Sequence, residues 1–333
     1  MFNSAIQIQP GVDGERGAPA FRNRVINGQF DIWQRGTTFS DTVVGYHADR
    51  WRIGASDFGG GTLAWTVDRI AFTFGQTEVS DNPTYYLNFA SAITGGPGTE
   101  RTLLSQRIED VKTLSGKKAT LSFWAKGSIP GGIVVNFRQN TATPSSPFFG
   151  NIAVTLSTSW QKFVFVVDVP VLSGSFAAGN SLNLHFMTQA GASNPAGVPG
   201  FQYTGTVSLA NVQLEEGALA STYEKKFLGT ELALCQRYYE EGFKEESNFA
   251  TPSLTNEMWF DFQVDKRIVP TISIFVLESP PTSSNLAPGS FVGVVRTDGF
   301  RLTYASNALA DCAIISALPL SAGRGPWTAD AEL

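Results

Sequence analysis

Several things are scarce in this chain of 333 residues, and each scarcity excludes something. There are two cysteines, Cys235 and Cys312, both among apolar neighbours. That excludes a disulfide framework and favours two buried free thiols. With no framework, synthesis in a reducing cytoplasm is expected. There are two histidines, His47 and His185, and neither lies near a cysteine or a spaced partner. A metal centre needs three or four converging ligands, so metal catalysis is not expected. Charged residues make up 16% of the chain and the net charge is -5, so nothing suggests bulk attraction to nucleic acid. No apolar run approaches the roughly 20 residues of a membrane-spanning helix, and membrane insertion is not expected. The opening MFNSAIQIQPGVDGERG has no basic segment followed by an apolar stretch, so it does not read as a secretory signal. No Gly-x-x-x-x-Gly-Lys phosphate loop and no Gly-x-Ser-x-Gly string occurs, and Gly95–Gly98 reads as a turn.

What is abundant points to β-structure. Hydrophobic residues make up 42% of the chain, with 33 glycines, 17 prolines and 25 phenylalanines. That composition suits many short strands joined by turns. Lys118 to Lys126 alternates cleanly, with Ala119, Leu121, Phe123 and Ala125 on one face and Thr120, Ser122, Trp124 and Lys126 on the other. Ile133, Val135 and Phe137 alternate with Val134, Asn136 and Arg138. Leu182, Leu184 and Phe186 alternate with Asn183, His185 and Met187. Phe163, Phe165, Val167 and Val169 follow Trp160 in the same way. Leu63, Trp65 and Val67, then Phe72 and Phe74, extend another such run, and Tyr85 to Phe89 is a further strand. Asn23 to Gly36 reads as a strand after an Asn27-Gly28 turn, with Phe30 and Ile32 inward and Trp33 near its end. Gly/Pro turn signals at regular spacing argue for an antiparallel β-sandwich.

One stretch marks a boundary. Val207 to Glu215 reads as a buried strand with a slip of register near Asn211, the sign of a bulge. A short helix is expected after it, with Thr230 as N-cap, Leu228, Leu232 and Cys235 on one face and Gly242 as the stop. The predicted organisation is a leader at 1–22, a sandwich at 23–225 and a β-rich C-terminal domain at 226–333 that opens with the helix. Strands are expected there at Met258–Val264, Ile272–Val276, Phe291–Val295, Phe300–Tyr304 and Cys312–Ala317. Gly11 to Pro19 forms three Gly-X-Y triplets, which read as a flexible leader, a short trimeric neck or a docked extended peptide.

Several strings resemble bacteriophage tail-fibre and related virion adhesion proteins. They are NGQFDIWQRG at Asn27–Gly36, YHADRW at Tyr46–Trp51, LSQRIEDVKTLSGKKATLSFWAKG at Leu104–Gly127, VQLEEG at Val212–Gly217, ELALCQRYYE at Glu231–Glu240 and WTADAEL at Trp327–Leu333. The resemblance implies an all-β chain: a carbohydrate-binding jelly roll, a short helix and a small C-terminal β domain. It implies a homotrimer, a glycan partner on the host surface and no catalytic residue. It also implies a place on the virion surface, with the leader attached to other virion proteins. Trimer formation would cover sandwich edges and add avidity to weak sites. Related jelly rolls hold a structural calcium with an acidic residue on the last strand. Asn211 stands in that region here, which puts calcium in doubt, and no other cofactor is implied.

Sugar binding needs aromatic faces for pyranose rings and forked polar groups for hydroxyl pairs. Trp124, Asn136, Arg138, Asn183 and His185 form such a set if their strands are neighbours. The other reading is that Trp124 packs under a loop or against a neighbouring subunit and the rest are solvated strand positions. Trp33, Tyr46, Asp49, Arg50 and Trp51 read as a structural edge of the sandwich. Arg237, Tyr238 and Tyr239 suit an interdomain seam or a trimer axis. Two rivals to a fibre or spike remain. One is a decoration or connector protein of the capsid or tail. The other is a glycan depolymerase, although no carboxylate pair among the 29 acidic residues stands out.

Overall fold

A computed structural model describes residues 21–40, 44–56, 62–94, 101–141, 148–172, 176, 179–191, 193, 204–242, 246–249, 255–274, 291–305, 311–314 and 327–332. The described residues fall into two compact units. The first runs up to Trp33 and from Thr37 to Leu228. The second takes Gln34–Gly36 and runs from Gly229 to Glu332. The Gly-X-Y triplets and all of the leader before Phe21 lie outside the described residues.

The first unit is a jelly-roll β-sandwich. Its strands are β1 (Thr38–Ser40), β2 (Gly45–Tyr46), β3 (Trp51–Ser56), β4 (Thr62–Ala71), β5 (Tyr85–Thr94), β6 (Arg101–Glu109), β7 (Lys118–Gly127), β8 (Ile133–Asn140), β9 (Phe148–Val154), β10 (Gln161–Asp168), β11 (Ser181–Ala190) and β12 (Gly205–Glu216). A first six-stranded sheet runs β1-β4-β5-β12-β7-β10, and a second runs β2-β3-β6-β11-β8-β9. The alternating apolar positions point between them. Leu121, Phe123 and Ala125 of β7 meet Val135 and Phe137 of β8 and Leu184 and Phe186 of β11 in one core. The Phe123 and Phe186 rings close the gap edge-to-face at 5.0 Å, a favoured aromatic geometry. The bulge expected near Asn211 is present. The β12–β7 register shifts between Ala210 and Gln213, and Asn211 has a φ of 48°.

The stretch at 23–36 departs from its expectation. Val25, Phe30, Ile32 and Trp33 are buried, but no strand forms there. Side-chain bonding replaces a ladder. Asn27, with φ at 56°, donates from Nδ2 to the carbonyls of Ile32 and Asp49 and accepts at Oδ1 from the Ile32 amide. An Asx side chain that satisfies nearby backbone groups competes with strand pairing. The run near residue 70 also ends early. β4 stops at Ala71, and Phe74 beyond it is fully exposed.

Helix α1 spans Leu228–Gln236. It starts two residues before Thr230, so Thr230 is inside the helix and not its cap. Leu228 is exposed, Leu232 is half-buried and Cys235 is fully buried, so the expected apolar face is carried mainly by Cys235. Gly242 is not the stop. The helix ends at Gln236, and Gly242 closes a strand against which the Trp327 ring packs.

The remaining strands are β13 (Tyr239–Gly242), β14 (Glu246–Phe249), β15 (Thr255–Asp261), β16 (Thr271–Ile274), β17 (Phe291–Val295), β18 (Gly299–Ala305), β19 (Asp311–Ile314) and β20 (Trp327–Asp330). They pair as β13-β20-β16, β14-β19 and β15-β18-β17. Rings of Phe260, Phe262, Phe300 and Trp327 pack together, with Phe260 stacked on Phe300 at 4.6 Å. The early Gln34–Gly36 joins this unit. The Arg35 guanidinium lies 3.5 Å from the Tyr239 ring centroid and 3.3 Å from Glu332 Oε1.

Candidate functional site

The face that the second sheet turns away from the core is part apolar, where Leu103, Val134, Met187 and Ala190 form a small buried cluster with Phe148 packed against it, and part polar. Because Leu104, Ile108, Leu182, Leu184, Phe186, Val135 and Phe137 point inward, their alternate neighbours on β6, β11 and β8 point outward. The pairing registers arrange those neighbours in rows. One row crosses five strands as Tyr46, Arg52, Ser105, His185 and Asn136. The adjacent row reads Arg107, Asn183, Arg138 and Phe148.

A hydrogen-bonded floor fixes these side chains. Asn136 Nδ2 donates to Asn151 Oδ1 at 3.1 Å and reaches Met187 Sδ at 3.3 Å. Its Oδ1 lies 3.1 Å from His185 Nδ1. Since the Asn136 amide is spent on Asn151, its oxygen accepts and His185 Nδ1 carries the proton. Ser181 Oγ donates to Asn183 Oδ1 at 2.7 Å. The Phe148 ring sits 5.6 Å from the His185 ring, and the Arg138 guanidinium lies 5.2 Å above Phe148. Burial pushes the His185 pKa down to about 3, helped by the charges of Arg101, Arg138, Arg107 and Arg52. His185 is therefore neutral near pH 7, and its Nε2 lone pair is an acceptor. Asn136, Asn183 and His185 are buried, whereas Arg52, Arg107 and Arg138 are half-buried and reach outward above them.

Four of the five residues expected to bind sugar thus meet on one face: Asn136, Arg138, Asn183 and His185. Trp124 does not join them. It sits on β7 of the first sheet, in register with Ala210 and Lys162. Its strand neighbours Phe123 and Ala125 point into the core, so Trp124 faces out on the opposite side of the sandwich. Near it on that side, Phe72, Tyr86 and Trp160 form a ring cluster with centroids 4.8 to 5.4 Å apart. The Lys126 ammonium lies 4.9 Å from the Trp160 ring.

Sequence reasoning missed Arg52, Ser105, Arg107, Phe148 and Asn151. A signal existed on β6, where Arg101, Leu103, Ser105 and Arg107 alternate with Thr102, Leu104, Gln106 and Ile108. The inward Thr102 and Gln106 are polar, which blurs the pattern. Gln106 is held inside by bonds to the Ile26 amide and carbonyl, both 2.8 Å.

The other singled-out residues hold the framework. Trp33 Nε1 donates to the Phe30 carbonyl and Trp51 Nε1 to the Asn27 carbonyl. The Asp49 amide donates to the Ile32 carbonyl. Arg50 is buried, donates to the Arg107 carbonyl and lies over the Tyr46 ring. Tyr238 and Tyr239 are buried, and Arg237 lies 5.6 Å from the Tyr238 ring. Asn211 donates to the Ser80 carbonyl and accepts from Gln29. Cys235 is a buried free thiol, and the Cys312 side chain lies outside the description. Among the described residues, no group of three or more His, Cys, Asp or Glu could hold a metal ion. No described helix is long and apolar enough to cross a membrane.

No protein-family model matches the chain, and no curated protein matches it. Among solved structures it is similar to a CBM4 chain at 22% identity and a TM-score of 0.36, over 57% of this chain and 98% of that one. It is similar to the CBM22-1 xylan-binding domain of Paenibacillus barcinonensis Xyn10C at 14% identity and a TM-score of 0.31, over 56% of this chain and 99% of that one. The enzymatically active domain of bacteriophage CBA120 tailspike protein 4 is 14% identical with a TM-score of 0.35. That match covers 59% of this chain and 22% of the tailspike chain.

Proposed function

We propose that this protein is a non-catalytic glycan-binding component of a virion, a fibre or spike that attaches the particle to a polysaccharide of the bacterial surface. The observation that carries the reading is the convergence of Arg138, Asn183 and His185 on one sheet face, beside the Phe148 ring and held from beneath by the buried Asn136. Fixed donors and acceptors next to an aromatic ring suit the hydroxyls and apolar face of a pyranose. Hydrolysis of a glycoside needs two carboxylates about 5 to 9 Å apart. Among the described strand positions of this face, Glu109 is the one carboxylate, which favours binding over cleavage. The virion setting, the homotrimer and the attachment role of the leader rest on the sequence strings that resemble phage adhesion proteins.

The test is binding of labelled protein to intact host cells beside cells stripped of surface polysaccharide. Binding that disappears with the polysaccharide supports the reading. Equal binding to both points to a protein or lipid receptor. No binding to either overturns it in favour of a structural connector. Release of reducing ends from the polysaccharide overturns the non-catalytic part.

A further inference from the structure

The same face concentrates one sign of charge. Arg52, Arg101, Arg107 and Arg138 come from three strands and all bear on His185. Arg107 and Arg138 flank Asn183 in one row, which sets their backbones about 10 Å apart by ordinary strand spacing. Arg52 stands in the next row. Its guanidinium pKa is held below the usual range, first by burial and then by the Arg107 charge. Glu109 is the one acid among the described strand positions there. The chain as a whole carries a net charge of -5, so this basic surface runs against the overall balance. Crowding like charges on a half-buried surface opposes folding, and such arrangements cluster at functional sites.

We propose that this face recognises an acidic polysaccharide through the carboxylates of its uronic-acid units, with Arg107 and Arg138 gripping from either side of Asn183. The inference rests on the glycan-binding reading above and narrows it. Guanidinium forks match carboxylates in geometry and charge. Phe148, opposite Arg138 in register, packs under the Arg138 guanidinium and helps to hold it on this face. His185 adds an acceptor for a hydroxyl without adding charge.

The test is an array of purified bacterial surface polysaccharides, neutral and acidic, with each acidic polymer also present in carboxyl-reduced form. Dextran sulfate serves as a plain polyanion. The expected result is capture of one or more acidic polymers, weakened about ten-fold or more by carboxyl reduction and equally by Arg107→Gln with Arg138→Gln. Arg107→Lys should restore part of the loss, because it keeps the charge but not the fork. Melting temperatures of the variants at or above that of the wild type exclude misfolding as the cause. If Arg107→Gln with Arg138→Gln does not fold, Arg107→Lys alone and the carboxyl-reduced polymers decide. Equal capture of an acidic polymer and its reduced form overturns the inference and leaves glycan binding standing. Equal capture of dextran sulfate replaces carboxylate recognition by bulk charge attraction. Capture of no polymer overturns both readings.

Discussion

Asn136 Oδ1 accepts from Nδ1 of His185 at 3.1 Å across the β8–β11 pair, and four arginines surround the imidazole. Neither strand can supply this relationship alone. It ties the protonation of a buried ring to the stability of the sandwich. His185 remains neutral in the folded state down to about pH 3, chiefly because it is buried. In the unfolded chain it protonates near the ordinary value of about 6.5. Between those values the unfolded state binds more protons, so stability falls as pH drops through 6.5. At pH 5 this one group should cost about 2 kcal/mol relative to pH 8. Thermal melts of the wild type and His185→Gln from pH 8 to pH 5 check it. The variant should show the shallower dependence, and parallel curves refute the assignment.

Trp124→Ala should leave glycan binding within about two-fold of wild type, less than the effect of losing one hydrogen bond to a charged group. The reason is placement: Trp124 is on the first sheet, and the polar rows are on the second. Titration of the variant against whichever polysaccharide the wild type binds decides the matter. A ten-fold loss would move the site to the Phe72, Tyr86 and Trp160 side of the sandwich.

Lys266 and Glu240 form a buried ion pair, with side chains 0% and 2% exposed. Burial pulls the Lys266 pKa down, and its bond and charge partner Glu240 pulls it back up. Lys266→Met strands a buried carboxylate and should destabilise by about 3 to 5 kcal/mol. Lys118→Met breaks an exposed pair with Asp168 and should cost no more than about 1 kcal/mol. Urea unfolding followed by tryptophan fluorescence measures both.

Gly28 is closed to a side chain. A Cβ there would lie 2.2 Å from the Val212 carbonyl oxygen. The Gly28 carbonyl also accepts from the Val212 amide at 2.9 Å, so the two backbones cannot separate without losing that bond. Gly28→Ala should cost about 3 kcal/mol or prevent folding. Gly75 has a φ of 77° but open space around it, so Gly75→Ala should cost only about 1 kcal/mol. A loss at Gly28 no larger than that at Gly75 would refute the crowding argument, because Gly28 lacks the positive φ that strains an alanine at Gly75.

The period-two pattern made much of the sandwich legible. Leu121, Phe123, Val135, Phe137, Leu184 and Phe186 all point inward as the alternation implies. The break at Asn211 marked a true bulge. Reading failed where side chains took over from backbone ladders. Phe30 and Ile32 have the spacing of a strand, but Asn27 bonds hold them in a turn-rich segment. It failed again at the helix, where Leu228 looked apolar and inward yet lies exposed.

The sequence by itself determined which side of each strand faces the core, because side chains of an extended chain alternate whatever it pairs with. Only the tertiary structure decided which outward faces meet. It set β11 between β6 and β8, bringing Arg107, Asn183 and Arg138 into one row. It placed Trp124 on the other sheet. Such pairings join residues far apart in the chain, and they follow from how two sheets close over a shared core, not from a local pattern.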